Sequence, residues 1–152
     1  MTTITTNETA AIRLAVELAE MDTMPASNPY ALAAAHLVGI NADGNPVELD
    51  RHPDVYQLLN NENNQFYAQW HELVAIITTG WAAPITPEIT NGDMAPSCSP
   101  DRRRVRLTII ADRTAYCSVI MFEDGETDPV YDPGTATGAL AEAVRIFFGL
   151  DA

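Results

Sequence analysis

Between Arg102 and Phe122 the chain first alternates polar and apolar positions and then runs apolar. Arg104, Arg106 and Thr108 interleave with Val105, Leu107 and Ile109, the period-two pattern of a strand with one buried face. This reading turns the charged residues to water and Val105, Leu107 and Ile109 inward. A polar break at Asp112-Arg113-Thr114 leads into residues 115–122, rich in the β-branched and aromatic types that strands favour (Tyr116, Val119, Ile120, Phe122). So short a break predicts an antiparallel hairpin, with its mostly apolar second strand inside the sheet. Residues 73–80, Leu-Val-Ala-Ile-Ile-Thr-Thr-Gly, predict a third strand extending toward Trp81.

Helical spacing appears on both sides of this sheet region. Leu140, Val144 and Phe147 or Phe148 form one stripe, so a helix is expected over about 135–148, capped by Thr135 or Thr137 and ended by Gly149. Phe66, Trp70 and Leu73 share helical spacing and place a helix from roughly Asn63 up to the third strand. Further upstream, Thr5 and Glu8 stand at capping-box offset before the apolar run from Ile12 to Leu18. Asn28-Pro29 and Gly39 bracket a second expected helix over 29–38, carrying the run Ala33-Ala34-Ala35. Asp43-Gly44 signals a turn, and His52-Pro53 opens a short helix through Leu58 and Leu59 that breaks at Asn60–Asn64. Residues 21–27 and 84–100 are the expected loops, the second long enough to be a flap over something.

These elements predict one α+β domain over residues 1–152, helical to about 72, then sheet plus C-terminal helix over about 73–149. Its antiparallel sheet has about three strands (near 73–80, 103–111 and 115–122), with helices packed on one face. The uncovered face or edge would need a partner. Trp81, Tyr116, Ile110, Val119 and Met121 are the residues expected to supply that surface, which makes a homodimer one outcome. A chain of 152 residues with 47% hydrophobic content can bury one sizeable core. No basic leader or membrane-length apolar run is seen, and Cys98 and Cys117 suggest no disulfide framework, so a cytoplasmic protein is expected.

Charge narrows the partners. The net charge is −13, which opposes direct binding to nucleic acid or to an anionic membrane. All eight basic residues are arginine, a sign of a GC-rich genome rather than of a function. The acids are spread along the chain apart from Glu123, Asp124, Glu126, Asp128 and Asp132, which makes mimicry of a nucleic-acid surface a minor reading. Arg102, Arg103, Arg104 and Arg106 are a local exception, since clustered guanidiniums suit phosphate or carboxylate recognition. Pairing about the 112–114 turn would set Arg103 and Arg104 opposite Phe122 and Glu123. Self-pairing with the acidic 123–132 loop is therefore favoured over a ligand site.

No reaction is legible. Asp124-Gly125-Glu126-Thr127-Asp128 resembles a calcium loop, but Pro129 and Thr135 stand where its glycine and closing glutamate belong. His36, His52 and His71 form no two-histidine ligand pair, and His71-Glu72 beside Trp70 reads more readily as structural than as an acid/base pair. Cys98, within Pro96-Ser97-Cys98-Ser99-Pro100, has no partner cysteine or base in its neighbourhood. No phosphate loop or nucleophile elbow occurs, so no catalytic residue, cofactor or metal is expected.

The segments Gly80-Trp81-Ala82-Ala83-Pro84, Arg102-Arg103-Arg104-Val105-Arg106-Leu107, Ser118-Val119-Ile120-Met121-Phe122 and Gly138-Ala139-Leu140-Ala141-Glu142-Ala143 together resemble a group of small uncharacterised actinobacterial proteins. The resemblance covers the C-terminal half. It implies the hairpin-plus-helix arrangement and a GC-rich host, and it brings no activity and no site residues.

Three functions follow as expectations. The first is a non-enzymatic binding or regulatory module working through protein–protein contacts, marked by a contiguous apolar patch at Trp81 or the strand edge. The second is a small-molecule or anion-binding protein, or an enzyme, with a pocket under the 84–100 loop. Its candidate residues are Trp70, His71, Trp81, Arg102 and Arg104, which would have to converge in one cleft. The third is an acidic nucleic-acid mimic.

Overall fold

A computed structural model describes residues 7–21, 30–41, 45–82, 91–92, 98, 100–112, 114–124, 126–135 and 139–150. Its centre is a six-stranded, wholly antiparallel sheet in the order β2-β1-β3-β4-β5-β6. In chain order the elements are α1 (Glu8–Met21), β1 (Ala35–Ile40), β2 (Pro46–His52), α2 (Val55–Leu59), α3 (Glu62–Ala68), β3 (Leu73–Ala82), β4 (Arg103–Ala111), β5 (Tyr116–Phe122), β6 (Val130–Asp132) and α4 (Ala139–Phe147).

The three expected strands are β3, β4 and β5, but the sheet is twice as wide. The expected helix over 29–38 is instead the approach to β1 and most of that strand. The reason is burial: Ala35, Leu37, Val38, Gly39 and Ile40 are all buried, as in a strand covered on both faces, so no alternation marks it as β. The β1–β2 hairpin is closed by Asn41, whose amide donates to the Asn45 carbonyl (3.0 Å) and whose side chain accepts from the Asn45 amide (2.9 Å). The expected Asp43-Gly44 turn lies outside the described residues.

Both faces of the sheet carry helices, which corrects the one-sided expectation. Helix α1 is capped by Asn7, whose side chain accepts from the Ala10 amide at 3.0 Å; Thr5 lies outside the described residues. Ala11, Ala15 and Ala19 let α1 sit close over Ile110, Cys117, Val119 and Met121, while Leu18 packs toward Val38, Ile40, Ala75 and Ile77. On the opposite face α2, α3 and α4 enclose Leu37, Leu58, Leu59, Ala68, Val74, Ile76, Ile109, Tyr116, Val144 and Phe147. The apolar positions Ile110, Val119 and Met121 are thus covered by this chain's own α1, and Tyr116 is buried on the other side.

Two-sided burial also changes the reading of β4. Arg106, instead of facing water, and Thr108 are fully buried on the α1 side, in register with Thr79 and Ile77 on β3. The Thr108 hydroxyl has no hydrogen-bond partner among the described residues. Thr108→Val keeps its shape and removes a buried, unsatisfied polar group, so it should raise stability by about 1 kcal/mol. A urea midpoint moved upward at unchanged slope is the expected result.

Within the described residues helix α4 runs from Ala139 to Phe147. The Thr135 hydroxyl donates to Asp132 at 2.5 Å; Thr137 lies outside the described residues. Its C-terminal end follows the sequence reading. Gly149 takes φ +68°, its amide donates to the Ile146 carbonyl at 3.1 Å, and the Leu150 amide reaches Arg145 at 2.8 Å. That pair of bonds is a Schellman close.

Candidate functional site

The five candidate residues fall into two groups at opposite ends of the sheet. Trp70 and His71 sit at the α3–β3 junction, where β3 begins. Trp81, Arg102 and Arg104 lie at the far end of β3 and the start of β4. Ten residues of extended chain separate His71 from Trp81, about 30 Å. One shared cleft is therefore ruled out, and a pocket under residues 84–100 lies outside the described residues.

At the far end the arginines are engaged with their own chain. Arg104 and Arg102 stand over the Trp81 ring, 4.3 and 4.8 Å from its centroid. Arg103 stands over Phe122 at 4.5 Å and donates to Thr127 (2.7 Å) and to Asp124 (3.4 Å). The Glu123 amide donates to the Arg104 carbonyl (3.1 Å) and Phe122 pairs with Val105, so Glu123 faces Arg104, one residue out of step with a pairing centred on the 112–114 turn. Self-pairing with the acidic loop thus holds for Arg103.

Asp124 organises that loop. Its carboxylate accepts from the Thr127 and Glu126 amides (2.9 Å each) and from the Thr127 hydroxyl (2.8 Å). These bonds, led by the Thr127 amide and joined by Arg103, lower its pKa from 3.8 to about 2. A depressed carboxylate stabilises the fold above its unfolded pKa, and that contribution fades as pH falls through the folded value. The turn should therefore persist at pH 4 and loosen between about pH 4 and pH 2. Carbon-detected NMR titration should place Asp124 well below the other exposed carboxylates.

Other reactive groups are subdued. Burial, with the charges of Asp112 and Asp132, pushes the Cys117 thiol up to about 12, which removes its nucleophilicity. On β1 and β2, Glu48 meets His36 Nδ1 (2.5 Å) and Arg51 (2.6 Å). Partial burial works against the Glu48 charge, but Arg51 and His36 outweigh it and lower its pKa. Among the described residues no cluster of histidine, cysteine and carboxylate side chains is arranged to hold a metal.

The α3 end is different in kind. Asn61 caps α3 by accepting from the Asn63 and Asn64 amides (2.9 and 3.3 Å). Buried Asn64 donates to the Leu58 carbonyl (3.1 Å) and to Asp50 (3.0 Å), tying the helix to α2 and β2. With Asn64 and Ala68 turned down, Phe66 and Tyr67 face solvent, as does Trp70 just past the C-cap Gln69, and the three are 51, 54 and 71% exposed. The Phe66 ring meets Tyr67 edge-on at 5.6 Å and Trp70 at 6.0 Å, making one aromatic ridge.

Beside this ridge a cleft of about 320 Å³ opens between α3 and the end of α4. Val74 and Ala111 line it from the strands, Phe147 and Phe148 from the end of α4 and the residue after it, and Gln65, Gln69, His71 and Asp112 contribute polar groups. His71 packs against Gly39: a Cβ there would fall 2.7 Å from three atoms of the imidazole. Glycine on β1 thus sets where the histidine stands.

Trp70 and His71 are candidate site residues in the sequence and Phe66 and Tyr67 are not, because an aromatic stripe at helical spacing ordinarily faces a core. The available signal was Asn64-to-Ala68: a helix this short has one buried face, and Phe66, Tyr67 and Ala68 are consecutive, so all three cannot share it. No protein-family model matches the chain, and no curated protein or solved structure shows detectable similarity to it. No helix among the described residues is long and apolar enough to cross a membrane.

Proposed function

We propose that the protein is a non-enzymatic binding module that engages a protein partner through the α3 ridge. The observation that carries this reading is the exposure of three adjoining aromatic side chains, two on a helix tied down from beneath and the third just past its C-cap. Aromatic residues dominate binding energy at interfaces, and these three rings adjoin one another, whereas the other exposed large apolar side chains among the described residues, Val47, Tyr56, Val130 and Ile146, lie on β2, α2, β6 and α4. At roughly 100–150 Å² exposed per ring, they offer about 350 Å² of surface, the size of the patches that monomeric proteins devote to partners. The cleft lies alongside, so a partner crossing the ridge can also fill it. The far arginines take no part: they stack on Trp81 and Phe122.

Competition tests this. A complex formed by the wild-type chain in extracts of its source cells should be displaced by excess wild type. Phe66→Ala and Trp70→Ala proteins, shown to be folded by circular dichroism, should displace it at least about tenfold less well, since hot-spot truncations cost about 2 kcal/mol or more. Equal displacement by all three proteins would refute the reading.

A further inference from the structure

Resting on the α3 ridge as a binding surface, we infer that its partner is a basic, arginine-bearing polypeptide segment whose guanidinium groups stack on Trp70 and Phe66. The first support is charge. The chain carries −13, and from His52 to Asp101 it contains neither arginine nor lysine. Within that span Asp54, Glu62 and Glu72 are exposed, with Glu62 one helical turn before Phe66 and Glu72 two residues after Trp70. A second copy of this chain would bring like charge against like charge, whereas a cationic segment is drawn toward the ridge.

The second support is what the chain does with its other aromatic rings. Trp81 is covered by Arg102 and Arg104, Phe122 by Arg103 and Tyr116 by Arg145, at centroid distances from 4.3 to 5.5 Å. Among the described residues no arginine stands over Phe66, Tyr67 or Trp70, although these rings are more exposed. Guanidinium stacking is favoured over ammonium on such faces because the planar group lies flat on the ring and is weakly hydrated. Gln65, exposed along the cleft side of α3, offers an amide donor and acceptor to the backbone of an extended segment. The ridge is too long for a small organic cation to cover, which is why a polypeptide is the occupant.

The test uses the full chain, labelled with ¹⁵N, titrated at about 0.15 M salt, where long-range attraction is screened beyond roughly 8 Å. The probe is a synthetic peptide of arginines spaced by glycine and serine, compared with versions carrying citrulline or lysine. Expected are shifts of the amides of residues 62–72 and of the Trp70 indole. Affinity should fall at least about tenfold with citrulline and less with lysine, and Trp70→Ala should abolish the response. Shifts confined to the acidic 123–132 loop, or equal binding of the citrulline peptide, would overturn the inference. The two readings fail separately. A ridge-dependent protein partner that binds unchanged after its arginines are replaced would end this inference and leave the binding module standing. The absence of any ridge-dependent partner would end both.

Discussion

Gly134→Ala is expected to cost about 3 kcal/mol of stability, the sum of backbone strain and a backbone clash. Gly134 has φ +84°, where an L side chain pays about 1–2 kcal/mol. A Cβ there would also lie 2.5 Å from the Tyr116 carbonyl oxygen. That oxygen cannot retreat easily, because Tyr116 is paired with Ala111 in the interior of the sheet and its ring is buried. Gly149→Ala separates the two contributions. Gly149 has φ +68° but nothing near its virtual Cβ, so it should lose only about 1 kcal/mol. For a chain of this size the Gly134 variant should melt about 6–12 °C lower. Equal losses at the two glycines would show that the clash relaxes away.

Gly39→Ala is expected to act on the site as well as on stability. The new methyl would meet the His71 imidazole at 2.7 Å, and the ring must move because Gly39 is held between β2 and β3. Overpacking of this kind costs about 2 kcal/mol. The displaced ring should also change the cleft that it lines with Gln65, Gln69 and Phe148. Gly80→Ala is the control, since nothing lies within 4 Å of the added Cβ and the site is exposed. It should be neutral or slightly stabilising. NMR shifts of His71 and of the Val74 methyls, seen for Gly39→Ala and missing for Gly80→Ala, would check the link between β1 and the cleft.

How much was legible in the sequence follows from burial geometry. Strands β3, β4 and β5 announced themselves through β-branched runs and a short polar break, and their bounds came within a residue or two. Strand β1 did not, because a strand covered on both faces loses its alternation. The alanines before it, with Asn28-Pro29, then imitate a capped helix. The same two-sided cover hid the location of Arg106 and Thr108: alternation on β4 records a contrast of residue types, while α1 buries the polar face too. The apolar set Ile110, Val119 and Met121 looked like a surface in need of a partner because α1 was not assigned to it. At the site, Trp70 and His71 were named for their chemistry and stand at the ridge and cleft. Grouping them with Trp81, Arg102 and Arg104 failed because adjacency along a strand says nothing of convergence. Phe66 and Tyr67 emerged only once Asn64 was seen to be the buried anchor of α3.

The account rests on the α3 ridge being the surface that a partner covers. The most direct measurement places a photo-crosslinking amino acid, one position at a time, at Tyr67 on the ridge, at Val47 on β2 and at Val130 on β6, all of them exposed. Irradiation in source-cell extract should give one dominant adduct from position 67, with no adduct of that mass from positions 47 or 130. The dominant adduct arising from position 47 or 130, with none from 67, would contradict it.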